Sequence, residues 1–176
     1  MMMMMPFPVL DRNREPPARV EIPISPEQAF INECMSLDDN SAKQLIQDAP
    51  AAMIEAVAND VLAGAAMRDK IAVIEAIYDR QVPCDPQRAW YYCIRVASMH
   101  ALLTRWDVDV NMLVGCRTQL HHAVYMGRLD VIVYLLNNGA DPYAGDEDGH
   151  DAFSYTSNDH IISLLRRENN VPVQTL

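Results

Sequence analysis

The side chains of this sequence best able to do nucleophilic or metal chemistry are four cysteines and five histidines. The cysteines stand at 34, 84, 93 and 116, the histidines at 100, 121, 122, 150 and 160. A thiol nucleophile needs a base that holds it as thiolate. Zinc needs close pairs such as Cys-x-x-Cys or histidines one helical turn apart. Neither spacing occurs, and the adjacent His121 and His122 diverge by about 100° on a helix, so they do not share one ion. The run Asp146-Glu147-Asp148-Gly149 has the look of a calcium loop. Yet Ala144 and Tyr155 occupy places where such a loop supplies oxygen ligands, and the calcium reading is rejected. There is no phosphate-binding glycine loop, no Gly-x-Ser-x-Gly and no His-Glu-x-x-His. The expectation is therefore no catalytic residue, no metal and no cofactor, with the cysteines packed as small apolar thiols. An enzyme built on Cys93 or Cys116 and a histidine is the alternative from a different class.

Charge narrows the partners. In 176 residues, 24 Asp and Glu face 14 Lys and Arg, a formal charge of −10. The excess is spread along the chain: eight acids against four bases over 1–50, eight against six over 51–113, and eight against four over 114–176. Phosphate binding needs clustered cations, so nucleic acid is excluded, and an anionic membrane surface with it. A charged partner would be basic. No apolar run reaches the ~18 residues of a membrane span. Met1–Met5 run straight into Pro6 and Pro8, which is not the pattern of a signal peptide, so the expected location is the cytoplasm.

The elements that must carry any surface read as short helices. Residues 1–24 hold five prolines and are expected to form an extended or disordered tail. Ser25-Pro26 with Gln28 is a helix start of the capping-box type. Asp38 to Ser41 read as a turn, and a second helix through Ala42, Leu45 and Ile46 ends at Pro50. From Ala51 to Tyr78 two apolar stripes follow, Met53 to Leu62 and Ile71 to Ile77. Asp85-Pro86 opens further helical material, Gln87 to Val96 and about Ser98 to Arg105. No alternation of strand type persists, so the class is all-α, with helix, turn, helix and loop recurring.

The recurrence is clearest over 113–142, LVGCRTQLHHAVYMGRLDVIVYLLNNGADP. Thr118-Gln119-Leu120-His121 and Ala123, then Gly127, then Val131 to Leu136, then Gly139-Ala140-Asp141 resemble the ankyrin repeat. At one constant offset Asp60, Leu62, Ala65, Asp69, Val73 and Ile77 fall on Thr118, Leu120, Ala123, Gly127, Val131 and Leu135. Gln81-Val82 replace Gly139-Ala140. In 146–168, Gly149 and Asp151 match the start of a repeat, with Phe153 in the place of Leu120 and Thr156 in that of Ala123.

The resemblance implies an ankyrin-repeat solenoid of stacked helix-turn-helix units with short loop fingers. The divisions are 25–59 as N-terminal capping helices, then repeats over 60–84, 85–111, 113–142 and 146–168 within a domain of 25–170, and a tail at 171–176. It implies that His121 is structural, bonding to backbone of a neighbouring loop. Trp90 and Trp106 are read as core.

What the resemblance implies for function is a non-catalytic module that binds a protein partner on its concave face. By motif position that face presents Met67 and Arg68, Tyr91 and Tyr92, Val114 and Arg117, and Tyr125 and Met126. The last finger adds Glu147, Asp148 and His150. Tyr, Met and Arg are the types enriched at interface centres. A bacterial effector, an inhibitor or immunity protein and a regulatory subunit all fit this description, as does a self-assembling structural protein.

Overall fold

The computed structural model of the protein describes residues 23–166. The expected tail 1–24, apart from Pro23 and Ile24, lies outside the described residues, as do Arg167 and the tail 171–176. Among the described residues the architecture is all-α: nine α-helices and one short 3-10 helix, with no strand. No helix among them is long and apolar enough to cross a membrane.

The elements are α1 (Pro26–Ser36), α2 (Asp39–Asp48), α3 (Ala51–Arg68), α4 (Ile71–Asp79), α5 (Gln87–Tyr92), α6 (Val96–Trp106), α7 (Gln119–Tyr125), α8 (Leu129–Asn137), the 3-10 helix Ala152–Tyr155 and α9 (Asp159–Leu165). They form two layers. In the first, α3 packs between α1 and α5, and α7 packs on the 3-10 helix. In the second, α2, α4, α6, α8 and α9 follow one another. The apolar stripes meet between the layers, where Ile46, Ile54, Leu62, Ile74, Ile77, Leu102, Leu120, Ile132, Leu135 and Leu165 are fully buried. Each of these side chains contributes roughly 1.5–3 kcal/mol by leaving water.

Helix ends explain where the elements stop. Ser25 caps α1 by accepting the Gln28 N–H at 3.2 Å. The Gln28 side chain turns to Asn32 at 3.0 Å, so the expected capping box is not closed. Asp38 caps α2 directly, accepting from the N–H groups of Asn40 and Ser41, and the helix begins at Asp39 inside the expected turn. The last turns of α1 and α2 hold no basic residue. Cations from the next hairpin serve instead: Lys70 reaches the Leu37 carbonyl, and Arg80 the carbonyls of Gln47 (2.7 Å) and Ala49 (2.9 Å).

The offset between the two hairpins holds at their turns. Gly127 has φ +66°, and Asp69, set against it, has φ +58°. Gly139 has φ +88°, and Gln81 has φ +52°. The left-handed conformation closes each helix whether or not glycine is there. Asp69 gains a compensation: its Oδ1 accepts from the N–H (3.2 Å) and hydroxyl (2.6 Å) of Ser98 in the following hairpin.

Three expectations are corrected. The division between 59 and 60 falls inside α3, which runs unbroken for 18 residues because neither proline nor a cap interrupts it. Asp60, set against Thr118 by the offset, is an exposed mid-helix residue that pairs with Arg88. Helix α5 stops at Tyr92 and not at Val96, since Cys93 turns extended (φ −65°, ψ 117°). In the last unit the first helix shrinks to the 3-10 turn: Ala152 is buried, while Phe153 is half-buried and Thr156 ends the turn. Trp90 is buried as expected; Trp106 is half-buried, edge-on to Tyr78 with ring centroids 5.2 Å apart.

Candidate protein-binding face

The first layer turns one side to the second layer and leaves the other in water. Along α7 this division is sharp. Leu120, His121, Ala123 and Val124 are buried, and the next two residues, Tyr125 and Met126, are 65% and 59% exposed. Tyr91 on α5 is 53% exposed and Met67 near the end of α3 is 44% exposed. Arg68, the last residue of α3, is also exposed, its guanidinium folded back toward the Gly64 carbonyl at 3.4 Å. Scattered exposed apolar residues are ordinary. Here large ones recur on successive stacked helices.

The other residues singled out from the sequence are placed less simply. Tyr92 is half-buried and packs edge-on against Tyr91, centroids 5.0 Å apart. Val114 is half-buried, because its N–H donates to the Arg117 carbonyl at 2.7 Å in a tight finger with Gly115 at φ +65°. Arg117 is exposed, but its guanidinium lies over the Tyr155 ring, 4.6 Å from the centroid. Its charge therefore has an aromatic partner within the chain. Met126 caps α7 and lines a groove against the preceding hairpin.

Glu147, Asp148 and His150 are exposed on the last finger, which Asp146 organises. The buried Asp146 carboxylate accepts from the N–H groups of Asp148 (2.9 Å) and His150 (2.8 Å) and from the Tyr155 hydroxyl. Chiefly through Tyr155, its pKa is held down to about 2, against the opposing effect of burial. Asp146, Asp148 and His150 bring ligand atoms within 4.8 Å of one another. The Asp146 oxygens already have partners inside the loop, so the cluster is explained as a turn scaffold. The sequence signal for this role is the place of Asp146 three residues before Gly149, where an Asx-type turn forms.

His121 joins this finger to α7. Thr118 Oγ1 caps the helix through the His121 N–H (3.4 Å), and His121 Nδ1 faces the Thr118 hydroxyl (2.8 Å) and N–H (3.3 Å). At its far side Nε2 lies 3.0 Å from the His150 carbonyl. A carbonyl only accepts, so Nε2 carries the proton.

This stretch, residues 118–147, matches the ankyrin repeat family model. Residues 118–147 are an ankyrin repeat. No curated protein matches the chain. Ankyrin repeats are generally protein–protein interaction modules. The matched unit begins at the cap Thr118 and ends on the finger that His121 fastens down.

Proposed function

We propose that this chain is a non-catalytic module that grips a protein partner with its concave face. The observation that carries the reading is the row of bulky apolar side chains kept in water on successive first-layer helices: Met67, Tyr91 and Tyr125. Such residues are costly to leave exposed without a use, and stacked helices hold them in fixed positions before any partner arrives. The fingers beside them carry Asp107, Asp109, Glu147 and Asp148, all exposed, which favours a partner with a basic rim. Four free thiols suit a reducing compartment such as the cytoplasm.

The thiols also weigh against the enzyme alternative. Burial pushes Cys34 up to about 11 and Cys93 up to about 12, and it raises Cys84 as well. The exposed Cys116 is raised by the Glu147 carboxylate beside it. A nucleophilic cysteine needs the opposite shift.

The test is a tagged pull-down from the native cell, followed by affinity measurement on the purified pair. Tyr91→Ala with Tyr125→Ala should weaken binding by about 30-fold or more, a loss of ~2 kcal/mol typical of aromatic anchors. Helical content and melting should not change. Undiminished binding by the double variant would remove the concave-face assignment. Met126 is left out of the pair because it also lines the groove between α5 and α7.

A further inference from the structure

The acidity of this chain is concentrated on one feature of the fold. The connections that lead into α5, α7 and the 3-10 helix are residues 80–86, 107–118 and 138–151. They hold eight Asp and Glu against Arg80 and Arg117, a formal −6 of the chain's −10 in fewer than a fifth of its residues. Asp85, Asp107, Asp109, Asp141, Glu147 and Asp148 are exposed there, and none forms an ion pair among the described residues. The two arginines are included in that balance, and both are turned inward on the chain. Arg80 donates to the carbonyls of Gln47 and Ala49, and Arg117 lies over the Tyr155 ring. Like charges gathered this way repel one another, and a cationic partner relieves the repulsion.

The apolar row borders this acidic strip. The edge of the Tyr91 ring lies 3.9 Å from where a Cβ on Gly115 would stand, so α5 brings its aromatic side chain up to the finger of 107–118. Met67, Tyr91 and Tyr125 stand on three successive first-layer helices, α3, α5 and α7. Packed helices lie about 8–10 Å apart. An α-helix presents the same face every seven residues, about 10.5 Å along its axis. A strand presents the same face every second residue, about 6.8 Å. The helical repeat keeps step with stacked helices, and the strand repeat does not.

We infer that the segment gripped on this face is a basic amphipathic helix of the partner protein, laid across α3, α5 and α7. The inference rests on the reading of that face as the binding face. Bulky apolar residues seven apart meet Met67, Tyr91 and Tyr125 in turn. Lys or Arg along one flank of the helix faces the carboxylates of the fingers, which orients the helix and speeds its arrival. Covering the row from i to i+14 takes about 15 residues.

The experiment displays two libraries of eighteen-residue peptides on phage against the immobilised full-length protein. One fixes apolar residues at helical spacing and the other fixes them at alternate positions; the remaining positions vary among Lys, Arg, Glu, Gln, Ala and Ser. Enrichment is expected from the helical library, with Lys and Arg in excess along one flank. Titrations with the enriched peptides follow. Affinity should fall about 30-fold in Tyr91→Ala with Tyr125→Ala, and about tenfold when Asp107→Asn, Asp109→Asn, Glu147→Gln and Asp148→Asn are combined. The amides keep the acceptor oxygen that Asp109 offers to the Asn111 N–H, so the finger retains its turn. Affinity should also fall severalfold between about 50 mM and about 500 mM salt. A proline at the centre of the peptide should remove binding. Backbone amide shifts of Tyr91, Asp107, Tyr125 and Asp148 on adding the peptide to the unaltered protein give a reading that needs no variant. Enrichment from the alternating library alone, enriched flanks that are acidic or uncharged, or no enrichment from either library would each overturn the inference. Binding that needs the two tyrosines but ignores the finger variant and the proline would overturn it too, while leaving the concave-face reading in place. Binding indifferent to the tyrosine pair would remove both.

Discussion

His121 Nε2 and the carbonyl oxygen of His150 lie 3.0 Å apart, and this hydrogen bond fastens the last finger to the helix of the preceding repeat. The same ring closes the capping box of α7 through Nδ1 and stands edge-on to Tyr155, centroids 5.4 Å apart. One buried side chain thus serves a helix end, a loop and an aromatic contact. His121→Ala would leave the His150 carbonyl without this donor and remove half of the cap. The expected cost is about 2–3 kcal/mol, read as a lower urea midpoint with an unchanged slope. A change below about 0.5 kcal/mol would mean that the finger is held by other contacts.

Two left-handed residues without glycine give a paired prediction of opposite sign. Gln81 at φ +52° is exposed and makes no side-chain hydrogen bond among the described residues. Gln81→Gly should therefore relieve strain and stabilise by about 1 kcal/mol, a melting point a few degrees higher. Asp69 at φ +58° holds Ser98 with its carboxylate. Asp69→Gly gains the same relief but leaves the buried Ser98 N–H and hydroxyl without their acceptor, and should be net destabilising. Thermal melts of both variants decide it; a rise in both would show that the Ser98 contact contributes little.

The same turns show what can be read from the chain and what cannot. Leu62, Ala65, Val73 and Ile77 could be set on the fourth hairpin because core spacing and the length of the connecting turn are local properties. Asp69 and Gln81 could be placed at glycine positions by offset alone. The continuity of α3 is also local, since no proline or cap interrupts Ala51–Arg68. The end of α5 is different in kind. It depends on Gln119, roughly thirty residues away, taking two carbonyls, and no spacing within 87–96 signals that. On the candidate face, the exposure of Tyr125 follows from helical phase relative to Leu120 and Ala123. The half-burial of Val114 and the seating of Arg117 over Tyr155 follow from contacts within and between fingers.

Acid should loosen the last finger. The folded pKa of Asp146, about 2, is below the ordinary carboxylate range near 4. A depressed carboxylate stabilises the fold above its unfolded pKa, and that contribution is lost as pH falls from about 4 to about 2. Melting temperatures taken between pH 6 and pH 2.5 should fall more steeply in the unaltered protein than in Asp146→Asn, over the acid end of that range. Parallel curves would mean that the Tyr155 hydroxyl does not hold the carboxylate as described.

Cys116 offers a check on thiol chemistry in the folded protein. It is exposed at a finger tip, beside Glu147, whose carboxylate accepts from the thiol and raises its pKa, with Asp148 adding to the effect. Alkylation requires the thiolate, so Cys116 should react with iodoacetamide more slowly than a free cysteine at pH 7.5 despite its access. Glu147→Gln removes the main cause and should accelerate the reaction severalfold. Cys34 and Cys93, both buried, should stay unlabelled until the chain unfolds. Peptide mapping by mass spectrometry after timed labelling distinguishes the four sites. Labelling of Cys116 faster than a free cysteine in the unaltered protein would reverse the argument, because it would reveal an activated thiol on the finger and revive the enzyme reading.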